Sequence, residues 1–180
     1  IRQKSGNESK VLIGTKDAIA QLSPDKRNVI IVPSSSEAFV TQFVNLLNFK
    51  KDRYNITLIG LPTWEDFETL DFQVLENLNT HLFKAININS ADPQVKNFQK
   101  RFLNEYKGYP TNYSYQGFGV MYLYGTSFLN NGKKFFPATI GNEFEVFHTK
   151  YQFENAMQGA LENQYIHIFK VKNFELQKVN

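Results

Sequence analysis

Two short clusters carry the side chains best suited to hold a ligand. Ser34, Ser35, Ser36 and Glu37 form one; Thr63, Trp64 and Glu65 form the other. Consecutive hydroxyls at the start of a helical stretch lie beside backbone N–H groups that the helix itself cannot use. With the positive end of the helix dipole behind them, they suit a carboxylate or another anion. Trp64, the only tryptophan, offers an apolar wall, and Glu65 offers a partner for an ammonium group. Each has a plainer use as well. One serine can simply cap the helix, Trp64 can close the end of a sheet, and Glu65 can favour a helix start.

Other chemistry is poorly supplied. His81, His148 and His167 are far apart and show no paired metal-ligand spacing. The chain has no cysteine, which excludes disulfides, thiolate metal sites and cysteine nucleophiles. No nucleophile elbow, phosphate-cradling glycine loop or dinucleotide fingerprint is present. Gly117-Phe118-Gly119 is half of such a fingerprint in a helical context. Glu65 and Asp66 are adjacent and point apart, so they make no acid–base dyad. The expectation is a protein without catalytic residues, metal or cofactor.

The two ligand clusters are set by the stretch that surrounds them. Residues 28–33 (Asn-Val-Ile-Ile-Val-Pro) and 55–60 (Asn-Ile-Thr-Leu-Ile-Gly) are short, β-branched and almost wholly apolar. Each reads as a strand covered on both faces. Between them, Phe39, Val40, Phe43, Val44, Leu46 and Leu47 recur at helical spacing. Strand, helix and strand make a parallel βαβ unit with a right-handed crossover. Ligands of open parallel sheets bind beyond the carboxyl ends of the strands. The loops at 34–37 and 62–65 occupy those ends.

The rest of the chain continues the pattern. Residues 1–10 are polar and read as an irregular lead-in, and 10–14 as a short strand. Residues 17–22 suit a helical turn, 64–78 one or two short helices, and 81–89 a third strand. Asp92 is an N-cap with Pro93 at the first helical position, and Val95, Phe98, Phe102 and Tyr106 share one face. A second helix spans 111–130 through Tyr115, Phe118, Met121, Tyr122, Phe128 and Leu129, with Gly117 and Gly119 permitting close packing. From 141 to 180 the spacing shortens to that of antiparallel strands that finish or flank the main sheet. The result is a single α/β domain over 1–180, with a βαβ core at 28–130 and a β-rich tail at 141–180.

Composition narrows the partners. Of the 180 residues, 42% are hydrophobic and 15% aromatic, enough for a packed core rather than disorder. The net charge of +3 is mild and scattered, so nucleic-acid binding is not expected. No apolar run reaches the roughly 20 residues of a membrane span. The opening residues lack the apolar core of a signal peptide, and the first is not Met, which suggests a processed or excised piece.

The order of these segments resembles the type I periplasmic binding proteins, the group that includes amino-acid receptors of ABC transporters. The strand at 28–33 with Ser-Ser-Ser-Glu-Ala-Phe-Val after it is similar to one strand and helix of that family's lobe. The run ending Leu-Ile-Gly-Leu-Pro-Thr-Trp at residue 64 is similar to the next strand and loop. Asp-Pro-Gln-Val-Lys-Asn-Phe from residue 92, with Tyr-Lys-Gly-Tyr-Pro from 106, resembles its D-P-x-V-x-x-F…Y-x-x-x-P segment. Residues 113–119 resemble its A-x-x-G-Y-D stretch, and 159–179 its closing G-x-x-E-N…L-x-x-V block. The resemblance covers most of 28–180. It implies a three-layer sandwich with a mainly parallel, Rossmann-like sheet, forming one lobe of a larger two-lobed receptor. It further implies an extracytoplasmic location, in the periplasm or attached to the outer membrane, and noncatalytic binding of a small polar, amino-acid-like ligand. That ligand would be shared with a first lobe that this chain lacks, and a membrane transporter or an envelope protein would be the partner. Gly117-Phe118-Gly119 stands where the family often has G-Y-D, so an acidic side chain is missing near the interlobe crossing. This departure favours an alternative: a cell-envelope interaction module, like the lipoproteins associated with peptidoglycan synthesis, that no longer binds a small ligand.

Overall fold

The computed structural model describes residues 14–134, 139–155 and 160–180. The elements are α1 (Thr15–Ala20), β1 (Asn28–Ile31), α2 (Glu37–Asn48), β2 (Ile56–Gly60), a 3-10 turn (Pro62–Asp66), α3 (Phe72–Asn77) and β3 (His81–Lys84). They are followed by α4 (Pro93–Tyr106), α5 (Asn112–Asn131), a second 3-10 turn (Gly132–Lys134), β4 (Glu143–Val146), β5 (Thr149–Asn155), β6 (Leu161–Asn163), β7 (His167–Lys172) and β8 (Glu175–Lys178). A five-stranded sheet runs β1-β2-β3-β7-β8, and a three-stranded sheet runs β4-β5-β6. No helix among the described residues is long and apolar enough to cross a membrane. Of the strand expected at 10–14, residues 10–13, with the lead-in before them, lie outside the described residues, and Gly14 stands at the N-cap position of α1.

Two compact units divide the chain. The first comprises residues up to Leu82 together with Phe169–Gln177; the second comprises Phe83–Ile168 and Lys178–Asn180. In the first unit, β1 pairs with β2 in parallel from Asn28↔Ile56 to Ile31↔Ile59, as the βαβ reading requires, and β2 pairs with β3 in parallel. The apolar face of α2, with Val40, Phe43, Val44 and Leu47, closes onto Ile56 and Leu58 of β2 and onto Leu75, Leu78 and Leu82. β2 is covered along its length as anticipated. β1 is not. Among the described residues it is the edge strand of its sheet, and Val29 and Ile31 remain 55% and 66% exposed, so a run that reads as two-face buried is covered on one face.

The second unit carries α4, α5 and the three-stranded antiparallel sheet. Asp92 caps α4, its Oδ1 accepting from Gln94 N at 2.7 Å, and Pro93 takes the first position. The helix stops at Lys107, which is left-handed with φ 57°. Thr111 and Ser114 form a reciprocal cap at the start of α5. Buried Tyr115, Gly119, Leu123 and Ser127 follow every fourth residue along it. A Cβ on Gly119 would lie 2.8 Å from His148 Nε2, so this glycine admits the imidazole; nothing lies near Gly117.

Two strand expectations need correction. The strand read at 81–89 ends at Lys84. Beyond it the backbone turns to the β4–β5 hairpin: Asn87 N donates to His148 O at 2.9 Å and Thr149 Oγ1 to Ala85 O at 3.0 Å. The alternation at 164–171 yields a strand only from His167. Asn163 Oδ1 accepts from Gln152 N and Tyr165 N and so bends the chain before it. The tail is also divided, since β7 and β8 complete the main sheet while β4–β6 form a sheet of their own.

Candidate functional site

Both ligand clusters fall in the first unit, at the carboxyl ends of the adjacent strands β1 and β2. Trp64 fixes their spacing. Its ring is fully buried, and its Nε1 donates to Ser34 O at 2.9 Å, tying the 3-10 turn to the loop after β1. Gly60 makes room for it, because a Cβ there would lie 2.5 Å and 2.6 Å from Cζ3 and Cδ2 of the ring. Trp64 is thus part of the core as well as the floor beneath both loops.

The serines do not cap α2. Ser36 occupies the N-cap position with no side-chain cap bond, while Ser34 Oγ accepts from Ser36 N at 3.2 Å. Among the described residues, the first-turn N–H groups of this 12-residue helix receive no side-chain cap from Ser36. Glu37, in the first turn, is turned to another task. Its Oε1 accepts from Thr69 N and Thr69 Oγ1, each at 2.8 Å, and Thr69 Oγ1 lies 2.8 Å from Thr41 Oγ1. The backbone N–H of Thr69, followed by its hydroxyl, holds the Glu37 carboxyl below its ordinary range. Ser35, Ser36, Thr63 and Glu65 are exposed, Ser34 and Glu37 half-buried. The arrangement can bind: it joins uncapped N–H groups and hydroxyls to a carboxylate on the neighbouring turn.

Histidine supplies no second centre in this unit. His81 Nδ1 lies 2.9 Å from Asn79 O, and burial pushes its ring below the ordinary imidazole range.

In the second unit the structure shows two concavities that the sequence reading missed. A polar cleft of about 470 Å³ is lined by Asn87, Asn89, Asp92, His148, His167 and Lys178, among others. His148 and His167 are 1% and 3% exposed. His167 Nε2 donates to His148 O at 3.3 Å, while His148 Nδ1 has no hydrogen-bond partner among the described residues. Burial, and then His167, lower the His148 pKa; burial, and then Lys178, lower that of His167. The larger concavity, about 700 Å³, is a groove floored by Phe98, Phe102 and Tyr106 of α4, Phe118 and Tyr122 of α5, and Phe147. The spacing of the α4 aromatics was visible as a helical face. Nothing in the sequence indicated that this face would stay open to solvent.

No family model and no curated protein sequence matches the chain. Among solved structures it is similar to an ABC transporter substrate-binding protein from Desulfitobacterium hafniense in complex with Leu. The identity is 17% and the TM-score 0.42, over 84% of this chain and 43% of that one. It is also similar to a putative branched-chain amino acid ABC transporter from Rhodospirillum rubrum, at 12% identity and a TM-score of 0.52, over 79% of this chain and 42% of that one. The chain spans less than half the length of either structure. At these identities the likeness concerns the architecture, with its mainly parallel sheet and added antiparallel strands. The chain has the fold of the type I periplasmic binding proteins, as found in ABC transporter substrate-binding proteins.

Proposed function

We propose that this chain is the ligand-binding portion of an extracytoplasmic receptor that takes a small polar, amino-acid-like molecule without transforming it. The observation that carries the reading is the pairing of an uncapped α2 N-terminus with the 3-10 turn, held together by the Trp64–Ser34 hydrogen bond. The α2 N–H groups and the hydroxyls of Ser35 and Ser36 suit the ligand's carboxylate, since the helix dipole favours negative charge there. Glu65 and Thr63 suit its ammonium group. Glu37 keeps the loop in place through Thr69. The description of the Rhodospirillum rubrum neighbour, a putative branched-chain amino acid ABC transporter, supports an amino acid as the ligand and an ABC transporter as the partner.

Trp64 is the only tryptophan, so its emission reports on the floor of this site. Titration of the chain with the common amino acids should give a saturable change for at least one, weakened at least tenfold by Ser35→Ala or Glu65→Ala. A folded protein that responds to none of them would overturn the reading.

A further inference from the structure

We infer that the aromatic groove of the second unit is a binding site for a neutral oligosaccharide, a role separate from the ligand site of the first unit. Three observations carry this. First, the floor is a continuous row of rings. Phe98 and Phe102 lie 5.8 Å apart by centroid and Phe102 and Tyr106 4.6 Å, while Phe118 stacks on Tyr122 at 5.9 Å and on Phe147 at 5.1 Å. Tyr106 is 68% exposed and Tyr122 52%, so the row is open to solvent. From Phe98 to Tyr106 it follows α4 for eight residues, about 12 Å at 1.5 Å per residue.

Second, a polar edge follows the same helix. Asn97, Arg101 and Glu105 line the groove, each one position before an aromatic of the row, Gln94 lies one turn before Phe98, and Glu145 lines the groove with them. None of these side chains has a hydrogen bond or ion pair among the described residues, although Arg101 and Glu105 stand four residues apart with opposite charges. Their donors and acceptors are unused, and planar amide, guanidinium and carboxylate groups each present two hydrogen-bonding atoms in a fixed plane.

Third, the charges inside the groove are of both signs, one arginine against two glutamates, which suits neither a polyanion nor a strongly cationic partner. A sugar ring meets all three conditions. One face is a set of polarised C–H groups that packs on the negative face of an aromatic ring, and its rim is hydroxyls that both donate and accept. A row of rings beside a row of planar polar groups recognises such units joined end to end. The walls are mostly helix, whose backbone groups are already paired. A peptide would find few main-chain partners except along β4, which supplies Glu145 and Val146.

The test is titration of the chain with cellotetraose and chitotetraose, two neutral β-linked tetrasaccharides, read by backbone amide NMR and calorimetry. Saturable shifts confined to α4, α5 and the Phe147 turn are expected. Tyr106→Ala and Tyr122→Ala should each weaken binding at least fivefold with melting temperature unchanged, because both side chains are exposed. Arg101→Ala should weaken it similarly, and affinity should hold from low to high salt. Absence of saturation by either sugar, shifts confined to other surfaces, or affinity that survives both tyrosine changes would overturn the assignment. So would occupancy of the groove by an aromatic-rich peptide that neither sugar displaces.

Discussion

Gly60→Ala is the sharpest probe of how the candidate site is built. The new Cβ would lie 2.5 Å and 2.6 Å from two atoms of the Trp64 ring, about 1 Å inside ordinary carbon contact. The ring cannot simply withdraw. It is fully buried, and its Nε1 is bonded to Ser34 O at 2.9 Å. Overpacking of this kind costs about 1–3 kcal/mol, and losing the Trp64–Ser34 bond adds about 1 kcal/mol. Alanine at Gly60, the last residue of β2, removes at most the entropic cost of about 0.5–1 kcal/mol that glycine carries in a strand, so the net expected destabilisation is about 1–3 kcal/mol. In a Trp64→Leu background the obstruction is gone and the same change should cost nothing or stabilise slightly. Trp64→Leu itself should cost less than the ~3–5 kcal/mol of a full truncation to alanine. Urea denaturation of the wild type, both single variants and the double variant closes the cycle, with an expected coupling above about 1 kcal/mol. Additivity within about 0.5 kcal/mol would refute the claim that Gly60 exists to seat Trp64.

Three further outcomes follow from the same physics. Asn173 and Phe174 both have positive φ, 54° and 62°, in the turn between β7 and β8, the geometry that favours glycine at the second position. Phe174 is 63% exposed, so Phe174→Gly should stabilise by about 0.5–1 kcal/mol, seen as a higher urea midpoint; a lower midpoint would contradict it. Asp92→Ala removes the cap on α4 and should cost about 1 kcal/mol, whereas Asp92→Asn should recover most of it. Finally, His81, His148 and His167 all have folded-state pKa values lowered by burial. The unfolded chain then takes up protons first, so stability is fully present above about pH 6.5 and is lost as the pH falls toward the folded values. Denaturation at pH 8 and pH 5 should show this, and His148→Gln should reduce the difference; a pH-independent midpoint would contradict it.

What the sequence disclosed, and what it did not, divides along a physical line. Local signals read well. The run 55–60 became a buried strand inside the sheet, Asp92-Pro93 started a helix, and the stretches after the two neighbouring strands fell where expected, 34–36 as a loop leading into Glu37 of α2 and 62–65 as a 3-10 turn. Features that depend on what packs against an element did not. Val29 and Ile31 look like core residues, yet both are exposed, and their strand is the sheet edge among the described residues. Residues 85–89 alternate like a strand, yet their backbone is claimed by the hairpin around His148 and Thr149. The seat of His148 against Gly119 joins residues 29 positions apart, which no spacing rule foresees. In the candidate site, the free start of α2 turned on Ser36 leaving its cap unmade and Glu37 reaching Thr69 instead. Phe98, Phe102 and Tyr106 were legible as one helical face, but a helical aromatic face fits a core and a binding groove equally well.

The loop after β1 and the turn after β2 are proposed to hold a small zwitterion. The most direct test of that proposal is backbone amide NMR of the intact chain during titration with leucine and then with the remaining amino acids. Saturable shifts are expected at Ser35, Ser36 and the first-turn amides of α2, with matching shifts at Thr63 and Glu65. Glu65→Ala should weaken the affinity behind both sets at least tenfold while the spectrum otherwise remains that of the folded protein. Shifts that never saturate, or that saturate while these amides stay still, would contradict the proposal.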